Sequence, residues 1–151
     1  MLNKFLSKAI ERHLDETYPL LMQLDDRLLY SEPVPGGRVL GEVVFHMLRS
    51  IEFYLRGIIE GKWEPAPYAF DEFVSAESFH KLVQNLFGKA RTYLSLLYSS
   101  DLSRAIDSFN RPATVGEILL EMLEHSIHHR GQLTVYLRYL GVEPEKIEYI
   151  I

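Results

Sequence analysis

Six histidines and no cysteine bound the chemistry open to this chain. Three of the six fall in one run, Glu121-Met122-Leu123-Glu124-His125-Ser126-Ile127-His128-His129-Arg130-Gly131-Gln132. His125 and His129 are four residues apart, which on an α-helix places both imidazoles on one face, one turn apart. Two imidazoles so placed converge beside the helix and can grip a metal ion. Glu121 stands one turn earlier on the same stripe. His128 projects roughly a hundred degrees away from His129 and is the poorer partner. Without thiolates, any ion must be held by His, Asp or Glu. The remaining elements have to bring a third ligand to the pair.

The 151 residues suffice for a single domain, 1–151, with its own core. At 47% apolar and 25% charged residues, the composition is that of a soluble globular protein. No apolar run approaches the roughly 18 residues of a membrane span. Met1 to Lys8 lacks the features of a signal peptide. A cytoplasmic protein with no membrane partner is therefore expected. Acidic residues outnumber basic ones, 21 to 16, for a net charge of −5. A nucleic-acid binder would show a basic excess or a basic stripe, so no nucleic-acid partner is expected.

Four helical stretches are predicted. The first runs from Leu2 to Tyr30, its apolar residues three and four apart, with a kink or short break near Tyr18 imposed by Pro19. His13 lies among charged neighbours and reads as a surface residue. The loop Ser31–Arg38, rich in Pro and Gly, leads to a second helix from Val39 to Glu60, stopped by Gly61. Its apolar face, from Val43 to Ile59, includes His46. A lone His there is more often a hydrogen-bonded core residue than a ligand, but a His pair elsewhere strengthens the ligand reading. The aromatic, Pro-rich loop Trp63–Phe70 could line a pocket mouth, though capping the core is the simpler role. A third helix follows from Ser75 to Tyr98, with His80 on its solvent side. Asp101 to Pro112 reads as irregular. Thr114-Val115-Gly116-Glu117 then has the pattern of a capping box. The last helix runs from there through the histidines to Leu140, ended by Gly141 and Pro144. Four long helices joined by short loops predict an all-α four-helix bundle.

A short internal echo links two of these helices. Leu40-Gly41-Glu42-Val43-Val44-Phe45-His46-Met47-Leu48 resembles Val115-Gly116-Glu117-Ile118-Leu119-Leu120-Glu121-Met122-Leu123, with His46 at the place of Glu121. The second and last helices should therefore present similar faces, each with a polar group at the same depth.

His125-Ser126-Ile127-His128-His129-Arg130-Gly131-Gln132-Leu133, followed by Tyr136-Leu137-Arg138 and Gly141, resembles the C-terminal signature of the DinB-like superfamily of metal-dependent enzymes. His46, after a Gly-Glu-apolar helix start, matches that family's first metal histidine. The resemblance implies a four-helix bundle, a homodimer, and a divalent metal ion held by His46, His125 and His129. Glu121 stands where other members carry His or a neutral polar residue, leaving it open as ligand, orienting partner or base; orienting an imidazole asks least of it.

Three neutral imidazoles would leave the ion its full charge and an open position. Such an ion lowers the pKa of bound water or deprotonates a thiol. The resemblance implies a small-molecule substrate and S-transferase-like chemistry with a low-molecular-weight thiol. A metal-dependent hydrolase and a non-catalytic metal-binding or stress-response module are the alternatives. DNA repair, suggested by the family name alone, conflicts with the acidic balance. Imidazole suits zinc and nickel alike. Arg130 is expected to pair with an acidic residue of a neighbouring helix, and Gly131 to permit close helix approach.

Overall fold

The first helix, α1 (Lys4–Met22), runs through Pro19 without a break. It ends instead at the polar stretch before Asp25, whose side chain accepts from Leu28 N (2.8 Å) and so caps a second, one-turn helix, α2 (Asp26–Leu29). The stop is a capping event: an aspartate that satisfies free N–H groups starts a new helix more readily than it continues an old one. The structure, a computed structural model, describes residues 4–72, 75–108 and 111–148; Leu2, the predicted start of the first helix, lies outside them.

Helix α3 (Leu40–Glu60) follows Val39 and ends where Gly61 takes the left-handed conformation, φ 67°. Helix α4 (Ala76–Ser95) opens on Ser75, whose hydroxyl accepts from Ser78 N, and stops three residues short of the predicted Tyr98. The Asp101–Pro112 stretch is more ordered than its residues suggested. A 3-10 turn (Ser99–Ser103) leads into an antiparallel hairpin of β1 (Ala105–Ser108) and β2 (Arg111–Thr114), pairing Ala105 with Thr114 and Ser108 with Arg111. Residues 109 and 110 lie outside the described residues. Strands of four residues, one of them holding Pro112, are too short to show a period of two.

Helix α5 (Val115–Tyr139) starts at the expected capping box. Thr114 N donates to Glu117 Oε2 (2.7 Å), and Glu117 N donates to Thr114 Oγ1 (3.3 Å). Its end is set by Gly141 at φ 76°.

The four long helices form a bundle: α3 packs on α4 and α5, and α1 packs on the same two. The core is apolar and sealed, with Leu14, Leu20, Phe45, Leu48, Phe79 and Phe87 among its fully buried side chains. Phe45 packs edge-on against Phe70 and at a tilt against Phe79, each 5.5 Å away between ring centres. The loop between α3 and α4 both caps this core and, through Pro65, Ala69 and Phe70, lines a cavity. Two glycines of α3 admit it: a Cβ on Gly41 would strike the Phe70 ring, and one on Gly57 would strike Trp63. No helix among the described residues is long and apolar enough to cross a membrane.

Candidate metal centre

The seam between α3 and α5 carries the histidines. His46 Nε2 lies 3.1 Å from His125 Nε2, which lies 3.2 Å from His129 Nε2. The three rings meet edge to face, with centres 4.5 to 5.0 Å apart. Nitrogens at this spacing subtend about 100° at an ion roughly 2.05 Å from each, between the octahedral and tetrahedral angles. The cluster could hold a metal ion. His46 is not on the buried side of α3: Phe45 and Met47 are buried beside it, while its own ring faces outward over α5. Being at the rim, it leaves the cluster open to solvent. His128, next to His129, is exposed and lies outside the cluster.

The surroundings keep these rings neutral, which is the form that binds metal. Burial, then its neighbours His129, His46 and His128, push His125 down to about 4. Burial is the main cause for the other two as well. His129 and the guanidiniums of Arg38 and Arg49 add to it at His46; His128 and Arg38 add to it at His129.

His129 is oriented by a partner the sequence reading left without a role. Its Nδ1 lies 2.9 Å from Gln132 Oε1, and the Gln132 amide donates to the Tyr136 hydroxyl (2.8 Å). With the amide nitrogen so used, the Gln132 carbonyl faces the ring. Nδ1 therefore carries the proton and the Nε2 lone pair points into the cluster. Gln132 is three residues after His129, the spacing of helical neighbours. His125 has no such partner; its Nδ1 is buried without a hydrogen bond.

Glu121 is not in the cluster. Its carboxylate forms an ion pair with Arg111 of β2, tying the hairpin to α5. The internal echo thus holds in helix position but not in task, since His46 joins the cluster and its counterpart faces the hairpin.

Behind the cluster lies a buried polar network. Ser126 and Arg130 each follow a cluster histidine by one residue, and so present the adjacent face of α5 to α1. His13 is 4% exposed and not a surface residue; its Nε2 lies 2.6 Å from Ser126 Oγ. Arg130 Nη1 is 3.2 Å from His13 Nδ1, and buried Thr17 donates to the His13 carbonyl (2.6 Å). Burial, then Arg130, lowers the His13 pKa to about 3. His80 is half-buried, Nε2 lying 2.9 Å from the Leu24 carbonyl, and not turned to solvent. Gly131, by contrast, has no neighbour within 4 Å of where a Cβ would stand, so no close helix approach occurs there.

The model of the DinB family matches residues 1–151. The chain belongs to the DinB family. Among curated relatives it is 32% identical to the uncharacterized protein YjoA of Bacillus subtilis over 132 residues, 85% of this chain and 84% of that one. YrdA of the same organism is 26% identical, over 93% of this chain and 84% of the other. Two solved structures share the fold. A DinB-like protein from Bacillus cereus superposes with a TM-score of 0.79 at 26% identity, covering 94% and 95% of the two chains. The B. subtilis YjoA structure, described as DinB-like, gives 0.76 at 27% identity over 99% and 96%. The three-histidine cluster of this DinB-family chain sits on the two helices, α3 and α5, whose segments carry the resemblance noted above.

Proposed function

We propose that this DinB-family chain is a divalent-metal-dependent enzyme, S-transferase-like, that uses a small thiol as co-substrate. The observation that carries the reading is the meeting of three neutral imidazole nitrogens, 3.1 and 3.2 Å apart, one of which, on His46, belongs to the wall of a cavity of about 750 Å³. His46, His125 and His129 are the ligands, zinc or nickel the ion. When bound, the ion supplies a lowered pKa to the nucleophile it meets and a positive charge for developing negative charge. The chain itself has no cysteine to activate, so the thiol arrives as a small molecule. It loses its proton to solvent; its sulfur forms a bond to an electrophilic carbon, whose leaving group departs. Gln132 keeps His129 in the ligating tautomer. The wall of Phe45, Phe53 and Phe70 excludes water from one side of the reacting pair. Cytoplasmic placement follows from this reading, since small thiols stay reduced there.

The hydrolase alternative differs only in using water as the nucleophile. A closed metal store is less well supported, because the open rim at His46 admits a substrate. Elemental analysis of protein purified without a His-tag should find about one ion per chain, and His125→Ala should find none. The reaction class is read from cobalt-substituted protein titrated with small thiols: a sulfur-to-cobalt charge-transfer band is expected. Absence of the band with every thiol tried, together with hydrolysis of an ester or amide, would reject the thiol reading for the hydrolase.

A further inference from the structure

We propose that the cavity beside the histidine cluster takes a small molecule with an apolar body and a single carboxylate, and that Arg49 binds the carboxylate. The proposal deepens the reading above and rests on it for where the reacting end of the molecule lies. At about 750 Å³ the cavity is in the range that encloses a small ligand. His46 is part of its wall, so an occupant reaches the cluster directly. Phe45, Phe53 and Phe70 make much of the rest apolar.

Two guanidiniums open into this space, and they are not equivalent. Arg38 is engaged with Glu42, Nε lying 3.8 Å from the carboxylate and Nη2 donating to the backbone carbonyl at 3.4 Å. Arg49 has no ion-pair partner among the described residues, and its Nε is buried without a hydrogen bond. That Nε is sealed off, but the terminal Nη groups are not, and they too have no hydrogen bond among the described residues, so they are the donors a ligand in the cavity can reach. Arg49 follows His46 by three residues and so shares its side of α3. Its charge is close enough to act on the His46 ring. The planar fork of arginine matches a carboxylate with two parallel hydrogen bonds. A monoanion fits better than a dianion: one guanidinium is uncommitted, and the wall also holds the carboxyl groups of Glu42 and Asp71.

The test uses the full chain, with and without zinc, and two probes of one shape, 3-phenylpropionate and 3-phenylpropionamide. Binding is followed by chemical-shift changes, and zinc content is measured separately. The carboxylate should bind about tenfold more tightly than the amide. That preference should shrink as salt rises from about 50 to about 500 mM. Arg49→Gln should erase the preference while leaving amide binding and zinc content unchanged; Arg49→Lys should keep part of it. Equal affinities in the unaltered chain would overturn the proposal, as would an intact preference in a folded Arg49→Gln protein. Inorganic phosphate binding more tightly than phenylpropionate would overturn the monoanion assignment. A chain that binds neither zinc nor nickel would sink the functional reading above, while the metal-free titration still decides the role of Arg49.

Discussion

Gln132 holds His129 through Nδ1 and is itself held by Tyr136. A hydrogen bond of this kind fixes both the tautomer and the angle of a ligating ring, and its loss typically weakens metal binding ten- to a hundredfold. Gln132→Leu should therefore lower metal affinity by about that factor, read by competition with a chromophoric chelator, while Gln132→Glu keeps an acceptor in place and binds at least as well as the parent. Glu121→Gln should leave the affinity unchanged, because its carboxylate serves Arg111 on a half-exposed surface. The pair His125 and His129 was legible from spacing alone. Gln132 was equally available, three residues on, but a polar side chain near a ligand looks the same in sequence whether or not it touches the ring. His13 was misread for a physical reason. Its neighbours Glu11, Arg12 and Asp15 are charged, yet its helical stripe is Ile10, Leu14 and Thr17, all buried with it. Periodicity outweighs adjacency on a helix.

Helix α5 does three jobs on three faces, and the one turned to α1 has a pH signature. In the unfolded chain His13 takes up a proton near 6.5; in the fold it does so only near 3. The unfolded form thus binds the extra proton first. The stability that His13 contributes is complete above about pH 6.5 and drains away as pH falls toward 3, by about 1.4 kcal/mol per pH unit within that window. Urea midpoints at several pH values between 7 and 4 should show this decline, and His13→Leu should make it shallower, the remainder belonging to the cluster histidines, whose pKa values the fold also lowers. Ser126→Ala, which leaves His13 Nε2 buried without its partner, should cost about 1–3 kcal/mol at neutral pH. A pH-independent midpoint in the parent chain would contradict the buried neutral ring. The helix ends divide by the type of signal. Gly61, Gly141 and the Thr114–Glu117 box were legible because each satisfies a named backbone group. Pro19 does not break α1, and the helix ends short of the predicted Tyr30 because the Asp25 cap starts a new one.

At the scale of the whole molecule, the bundle was legible from four amphipathic runs. The hairpin was not, since its pairing depends on contacts that no local pattern records. The outer face of α5 carries exposed Leu120, Ile127 and Val135, with the open Gly131 between them. Helical spacing sets these on one stripe, away from the cluster. The homodimer implied by the family resemblance would use that stripe. Sedimentation at micromolar concentration should give a dimer, and Ile127→Glu with Val135→Glu should give a monomer; a monomeric parent would remove the expectation. The cluster has one further consequence for a chain without a single cysteine. Its three rings come from only two helices, and His46 and His125 are 79 residues apart in sequence. An ion gripping both would tie α3 to α5 across α4 and the hairpin, and because the site exists only in the fold its binding free energy adds to folding stability, about 2.7 kcal/mol when free metal is a hundredfold above its Kd. The proposed catalytic ion would then also be the molecule's one cross-link, and the same pH or chelator that silences the site would loosen the seam between α3 and α5.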